Sequence, residues 1–213
     1  LSALVLVGLV LAALLPAGVA QADVTDDRVL ATVGFDQAYL GRAQFDGVGG
    51  APVLDDGNRA TLGLFGRLEV ALPALLSIGA EGAFRWYRTE GDAVIGDDFG
   101  RLADANGFLR LFFPLNDGQG EYYLLAGAGA SWLVDDGRGQ GARVDDALGW
   151  NLFARAGVRG ELVDGFGGIL EVGWVRRQFG EAFERDDGGA GGPQTFGFVT
   201  NQLTVVIGWY LAL

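Results

Sequence analysis

The stretch TNQLTVVIGWYLAL, residues 200–213, decides the fold class. Every second side chain from Leu203 to Leu213 is apolar, while the other face begins with Gln202 and Thr204. A repeat of two residues is typical of a β-strand and not of a helix. The apolar face is unbroken and an aromatic pair stands near its end, as expected for a strand that crosses lipid and meets the bilayer interface.

The composition excludes several classes of function. The chain has no Cys, His, Met or Lys, and all fifteen basic residues are Arg. Without Cys there are no disulfides or thiolate metal sites, and without His there is no imidazole acid–base catalysis. The net charge of −12 argues against nucleic acid as a partner, because phosphate binding needs a basic surface. We therefore expect no cofactor, no nucleic-acid partner and no enzymatic activity.

The N-terminal segment has the pattern of an export signal. Leu4–Leu15 is a continuous apolar run, and Ala20-Gln21-Ala22 has the A-x-A form of a signal-peptidase site. We predict a signal peptide over residues 1–22 and a single barrel domain over residues 23–213. The alternative is a membrane anchor that is retained, but the apolar run is short and Pro16 follows it directly.

The rest of the chain alternates strands with two kinds of connection. Eight segments show the two-residue repeat, at about 29–39, 60–72, 76–87, 105–113, 122–133, 150–162, 168–179 and 200–213. Short turns and long Gly- and Asp-rich loops follow them in strict alternation. This pattern predicts an all-β fold, an eight-stranded antiparallel up-and-down transmembrane β-barrel with both termini at one end. We expect the long loops to be extracellular and the termini periplasmic.

The faces of the strands leave one alternative open. A secreted, soluble lipocalin-like carrier has the same strand count, with its apolar face turned inward; it would pack Trp86, Trp174 and Trp209 into a ligand cavity. Aromatic residues at strand ends favour the membrane barrel, since aromatic girdles mark both bilayer interfaces. The aromatic residues expected in the girdle near the turns are Phe112, Phe113, Tyr122, Tyr123, Phe166, Trp209 and Tyr210.

On these features the chain resembles the eight-stranded outer-membrane barrels of Gram-negative bacteria, the OmpA-barrel and OmpX-like group. The ending Gly208–Leu213 is similar to the C-terminal assembly signal of that group, in which hydrophobic residues alternate after a Gly. It departs from the signal in its last residue, which is Leu where the group has an aromatic residue. The resemblance implies a monomer in the outer membrane whose partners are membrane lipid, lipopolysaccharide and the barrel-assembly machinery.

Charged side chains on the inward faces form the main candidate site. An eight-stranded barrel is just wide enough for side chains to fill it. The charges would form either a salt-bridged plug or a gated narrow pore, and an excess of Arg over Glu would make such a pore prefer anions. The predicted lumen charge network is Arg67, Glu69, Glu81, Arg85, Arg110, Arg155, Arg159, Glu161, Glu171 and Arg177.

The long loops carry repeated acidic doublets. Carboxylate oxygens are the ligands that Ca²⁺ and Mg²⁺ prefer, but no doublet lies in a defined calcium-loop motif. Solvated turn residues are the simpler interpretation. The residues that could contribute to such a metal site are Asp55, Asp56, Asp135, Asp136, Asp186 and Asp187.

These observations predict an outer-membrane β-barrel with a non-catalytic role in envelope integrity or in surface interaction through its long acidic loops. A narrow gated pore for small solutes or ions is the first alternative, and the secreted carrier is the second.

Overall fold

The computed structural model describes residues 29–47, 54–58, 61–72, 75–88, 99–115, 120–135, 143–144, 147–185 and 194–213. The predicted signal peptide, residues 1–22, lies outside them. No helix in the described part is long and apolar enough to cross a membrane. The strands are β1 (Val29–Gly47), β2 (Leu54–Asn58), β3 (Thr61–Leu72), β4 (Leu76–Arg88), β5 (Phe99–Pro114), β6 (Gly120–Asp135), β7 (Arg143–Val144), β8 (Ala147–Val163), β9 (Phe166–Arg185) and β10 (Gln194–Ala212).

Eight of these strands close into a barrel. Each pairs antiparallel with its neighbours in the order β10-β1-β3-β4-β5-β6-β8-β9, and β9 pairs with β10 to complete the ring. The short strands β2 and β7 pair with β1 and β9 beyond the loop-side ends of β3 and β8. Closure leaves no unpaired strand edge, which is the condition for a sheet to span a bilayer. The predicted eight-stranded up-and-down barrel is confirmed.

The tight turns lie together at one end of the barrel. The turn between β8 and β9 is closed by Gly165, whose φ of 73° lies in the left-handed region that favours glycine. The carboxylate of Glu161 accepts a hydrogen bond from the Gly165 backbone N–H at 2.7 Å. The Leu213 N–H donates to the Val29 carbonyl at 2.9 Å, so the first and last described residues meet at this same end. We call it the turn end, and the opposite one the loop end.

The strands reach further towards the loop end than the sequence predicts. All four predicted long loops, at 40–59, 88–104, 134–149 and 180–195, contain strand residues. They hold the end of β1 with β2, the start of β5, β7 with the adjoining ends of β6 and β8, and the end of β9 with the start of β10. The predictions of loop at these positions were wrong because they relied on apolar alternation. An antiparallel ladder needs only backbone hydrogen bonds, so it continues where the side chains are no longer apolar.

The orientation of the faces contradicts a soluble carrier. On β10, Leu203, Ile207 and Trp209 are exposed on the outer wall, while Gln202 and Thr204 are buried in the lumen. The β6 strand, whose sequence fits either orientation, turns its Leu124 outward and its Leu125 inward. The barrel is thus apolar outside and charged inside, the inverse of a lipocalin-like carrier.

The predicted aromatic girdle at the turn end is only partly formed. Phe113, Phe166 and Trp209 are exposed on the outer wall. Phe112, Tyr123 and Tyr210 are buried in the lumen instead, and their assignment to the girdle was wrong. Adjacent aromatic residues in a strand point to opposite faces, so a pair of them can supply only one member to the girdle.

Close strand packing at Gly129 gives a first prediction. A Cβ at this position would lie 2.0 Å from the Ala105 carbonyl oxygen, a backbone atom that cannot move aside. We expect Gly129→Ala to lower the free energy of unfolding by about 1–3 kcal/mol, as overpacking does. The matched control is Gly107→Ala on the neighbouring strand, where a Cβ meets nothing within 4 Å. Urea unfolding in detergent micelles measures both, and equal effects would contradict the packing described.

Candidate functional site

Among the residues that the structure describes, the lumen holds six arginines and six carboxylates joined by ion pairs. They form three layers stacked along the barrel, and each layer contains two arginines and two acids. The central cluster is Arg67, Glu81, Arg155 and Glu171; the loop-side cluster is Asp36, Arg85, Asp104 and Arg177; the turn-side cluster is Glu69, Arg110, Glu121 and Arg159.

In the central cluster every charge has two partners of opposite sign. The Arg67 guanidinium lies between two carboxylates, with Nη2 at 2.7 Å from Glu81 Oε2 and Nη1 at 2.6 Å from Glu171 Oε1. Arg155 binds the same two acids, at 2.7 Å from Glu81 and 3.4 Å from Glu171. The Tyr123 hydroxyl donates to Glu171 at 2.6 Å. These residues come from β3, β4, β6, β8 and β9, so the cluster connects strands around most of the barrel.

The loop-side cluster is organised by Asp104. Its carboxylate accepts hydrogen bonds from Arg177 Nη2 at 2.8 Å and from the Ser131 hydroxyl at 2.5 Å. Arg85 pairs with Asp104 and with Asp36, which bridges β5 to β1. A longer contact of 3.7 Å between Arg155 and Asp36 joins this layer to the central cluster.

The turn-side cluster closes the other half of the lumen. Arg110 pairs with both Glu69 and Glu121, and its Nε donates to the Ser77 hydroxyl at 3.1 Å. Arg159 pairs with Glu121 at 2.9 Å and is partly exposed, as expected at the barrel rim.

Aromatic rings pack against four of these guanidinium groups. Such contacts stabilise a cation and fill the lumen between the polar layers. The pairs, with distances from Cζ to the ring centroid, are Arg67 with Phe65 (5.4 Å) and Phe108 (5.2 Å), Arg110 with Phe112 (5.2 Å) and Tyr123 (4.9 Å), Arg155 with Phe153 (4.7 Å), and Arg159 with Tyr210 (5.0 Å).

The structure brings together all but one of the residues predicted for this network. Glu161 is exposed and accepts a hydrogen bond in the β8–β9 turn instead, because it lies past the end of the lumen. Sequence reasoning missed Asp36, Asp104 and Glu121. The signal was present for Asp36, which stands on the polar face of its strand; Asp104 and Glu121 were assigned to a loop and a turn.

The missed acids change the charge of the lumen. Six arginines face six carboxylates among the described residues, so the expected excess of Arg over acidic side chains is absent there. An anion preference based on that excess therefore loses its basis.

Some buried polar atoms next to the ion pairs have no hydrogen-bond partner among the described residues. They include Asp36 Oδ1, Arg85 Nε, Arg155 Nε and Thr204 Oγ1, which lie in or beside the loop-side and central clusters. Buried polar groups of this kind are commonly satisfied by ordered water. This half of the lumen is thus the part most suited to hold water.

The other candidate residues do not assemble into a site in the described part of the chain. Asp55 and Asp56 lie in β2 and Asp135 ends β6, and Asp136, Asp186 and Asp187 fall outside the described residues. The described residues contain no group of three or more acidic side chains placed to hold a metal ion.

No protein-family model and no curated protein matches the sequence. Solved structures do match the fold. The outer membrane protein OprG from Pseudomonas aeruginosa aligns with a TM-score of 0.62 and 10% identity, over 88% of this chain and 96% of that one. The outer membrane protein AlkL, solved in lipid bilayers, aligns with a TM-score of 0.55 and 13% identity, over 93% and 96%. The protein therefore has the fold of the eight-stranded bacterial outer-membrane β-barrels.

Proposed function

We propose that the protein is a non-catalytic outer-membrane barrel with a closed lumen and a structural role in the cell envelope. The observation that supports this role most strongly is the neutral set of ion pairs that the described residues form across the lumen. The long acidic loops are then the part that meets other surface molecules, and lipopolysaccharide is the partner that surrounds them.

The closure has a physical basis in the cost of buried charge. An ion removed from water costs several kcal/mol unless an opposite charge and hydrogen bonds compensate it. In the central cluster each carboxylate is shared by two guanidinium groups, and each guanidinium by two carboxylates. A passing ion would have to replace several of these contacts at once, so the resting barrel favours the plug.

The outer wall supports a location in the bilayer. Its exposed side chains include Val33, Leu64, Leu68, Leu109 and Ile207, which would be unfavourable against water as one continuous band. Outer-membrane barrels place their short turns in the periplasm and their longer loops outside the cell. We assign the turn end to the periplasm on that ground.

A gated narrow pore is the second candidate, and the buried atoms without partners favour it. Asp36 Oδ1, Arg85 Nε and Arg155 Nε lie where the central and loop-side clusters meet. Water at this junction would ease an exchange of ion-pair partners. Such an exchange would open a path without moving any strand.

Solute efflux from lipid vesicles tests the proposed closure. We expect vesicles that contain the refolded chain to release a trapped small sugar or chloride no faster than protein-free vesicles, because the three clusters fill the lumen. Heat-modifiable gel mobility confirms that the inserted sample is folded. Fast release from a folded sample would replace the closed barrel with the pore.

A further inference from the structure

An arginine on the outer wall has no role in the lumen network. Arg176 lies on β9 between Val175 and Arg177, whose side chains are buried inside, so its own side chain points outward. Its Nε is buried and has no hydrogen-bond partner within the part of the chain that the structure describes. An arginine that faces lipid without a partner destabilises the barrel, and an anionic lipid group beside it would compensate its charge.

The depth of Arg176 matches a lipid headgroup. It stands ten residues beyond Phe166, the start of β9 at the turn end. With about 3.3 Å per residue and a strand tilt of about 35–45°, Arg176 lies roughly 25 Å above the turn end, the height of the apolar band in such barrels. Trp174, one step below on the same face, occupies the position of an interfacial aromatic residue.

Two further hydrogen-bonding side chains extend the polar patch. Asn201 pairs with Arg176 across β9 and β10, and Gln178 follows Arg176 on the same face of β9. The guanidinium of Arg176 alone can bind one phosphate through two parallel hydrogen bonds, so the two amides remain available for other groups of the ligand. The two amides suit a headgroup that carries both hydroxyl and amide groups, as an acylated amino sugar does; phosphatidylcholine carries neither, and phosphatidylglycerol carries hydroxyls but no amide.

An apolar groove on the same wall begins at Trp174 and Leu203, each two residues from the patch along its strand, and extends towards the turn end. It has a volume of about 630 Å³, and its floor is formed by small side chains including Ala126 and Ala154. Leu109 and Leu124 form one side, and Trp174 and Leu203 form the side next to the polar patch. A groove of this shape on a lipid-facing wall accommodates an acyl chain.

We propose that Arg176, Asn201 and Gln178, with the groove beneath them, bind one phosphorylated glycolipid of the lipopolysaccharide class, with its phosphate on Arg176 and an acyl chain in the groove. The assignment to this lipid rests on the proposed function, which places the loop end in the outer leaflet. The proposed binding itself needs no assumption about conductance.

Native mass spectrometry of the detergent-purified barrel with added lipid A tests the site. We expect one lipid A molecule per barrel and about tenfold weaker binding for Arg176→Gln, which corresponds to about 1.4 kcal/mol. The matched control is Arg101→Gln, which removes an exposed arginine from the outer wall of β5 and should leave the affinity unchanged. Asn201→Ala, which keeps the arginine, should weaken binding by a smaller factor.

Three outcomes would overturn the proposal. These are equal affinity of wild type and Arg176→Gln, an equal loss for Arg101→Gln, or binding of phosphatidylglycerol as tight as that of lipid A. Heat-modifiable mobility of each variant shows that it is folded before binding is compared. Because the readout is a lipid count, it is independent of the efflux experiment and can fail or succeed while the closed lumen stands.

Discussion

Replacement of Glu81 with Ala is expected to lower the free energy of unfolding by about 3–5 kcal/mol, because it leaves two buried guanidinium groups without their shared carboxylate. Glu81 is only 2% exposed and accepts hydrogen bonds from both Arg67 and Arg155. Urea unfolding of the refolded barrel in lipid vesicles, followed by tryptophan fluorescence, measures the change.

Two companion variants separate the ion pairs from other effects of the substitution. Glu161→Ala removes an exposed carboxylate outside the network and should change stability by less than about 1 kcal/mol. The double variant Glu81→Ala with Arg155→Ala keeps the Arg67–Glu171 pair and restores a neutral layer, so we expect it to be more stable than Glu81→Ala alone. If Glu81→Ala is as stable as the wild type, water must already hydrogen-bond to these arginines.

Leu109→Arg is expected to lower the free energy of unfolding by about 2–4 kcal/mol, because it places a charge on the lipid-facing wall near the middle of the bilayer. Leu109 is 60% exposed and lies five residues from Pro114, where β5 ends at the turn end. On the surface of a soluble barrel the same change would have little effect, since an exposed arginine is solvated by water. Urea unfolding in lipid vesicles gives the value.

The matched control for this variant is Leu148→Arg. Leu148 is as exposed as Leu109 but stands next to the first residue of β8, at the loop end. The cost of a lipid-facing arginine falls to about 0–1 kcal/mol near the interface, so we expect a small effect there. Equal costs at the two positions would contradict the placement of the bilayer around the barrel.

The fold could be predicted because lipid imposes one strict rule on each strand. A side chain that faces hydrocarbon must be apolar, so Leu203, Ile207 and Trp209 reveal both the strand and its outward face. The loop-end boundaries could not be predicted in the same way. Beyond the bilayer both faces meet water, so no apolar repeat marks the strand there, while backbone hydrogen bonds still continue the ladder.

The candidate site was only partly predictable for a different reason. Alternation tells which face a charge occupies, and it placed Glu81, Arg85 and Arg155 in the lumen. It does not tell the depth at which a strand begins or which residues of distant strands meet. The pairing of Asp104 on β5 with Arg177 on β9, for example, depends on the register of the two strands between them, β6 and β8, and on the tilt of the barrel.

Charge balance is the signal that would have completed the network. Each buried arginine requires a buried acid, and the sequence-based set had more arginines than acids. The remaining acids are Asp36, on the polar face of a predicted strand, and Asp104 and Glu121, in segments assigned to a loop and a turn. The requirement of neutrality thus identifies lumen residues that periodicity alone misses.

Planar-bilayer recording of the refolded chain tests the closed lumen most directly. With one folded barrel in the membrane and an ion gradient across it, the three neutral clusters predict no current steps above the baseline. Discrete and reproducible steps from a sample with heat-modifiable mobility would contradict the plug and make the ion pairs a gate.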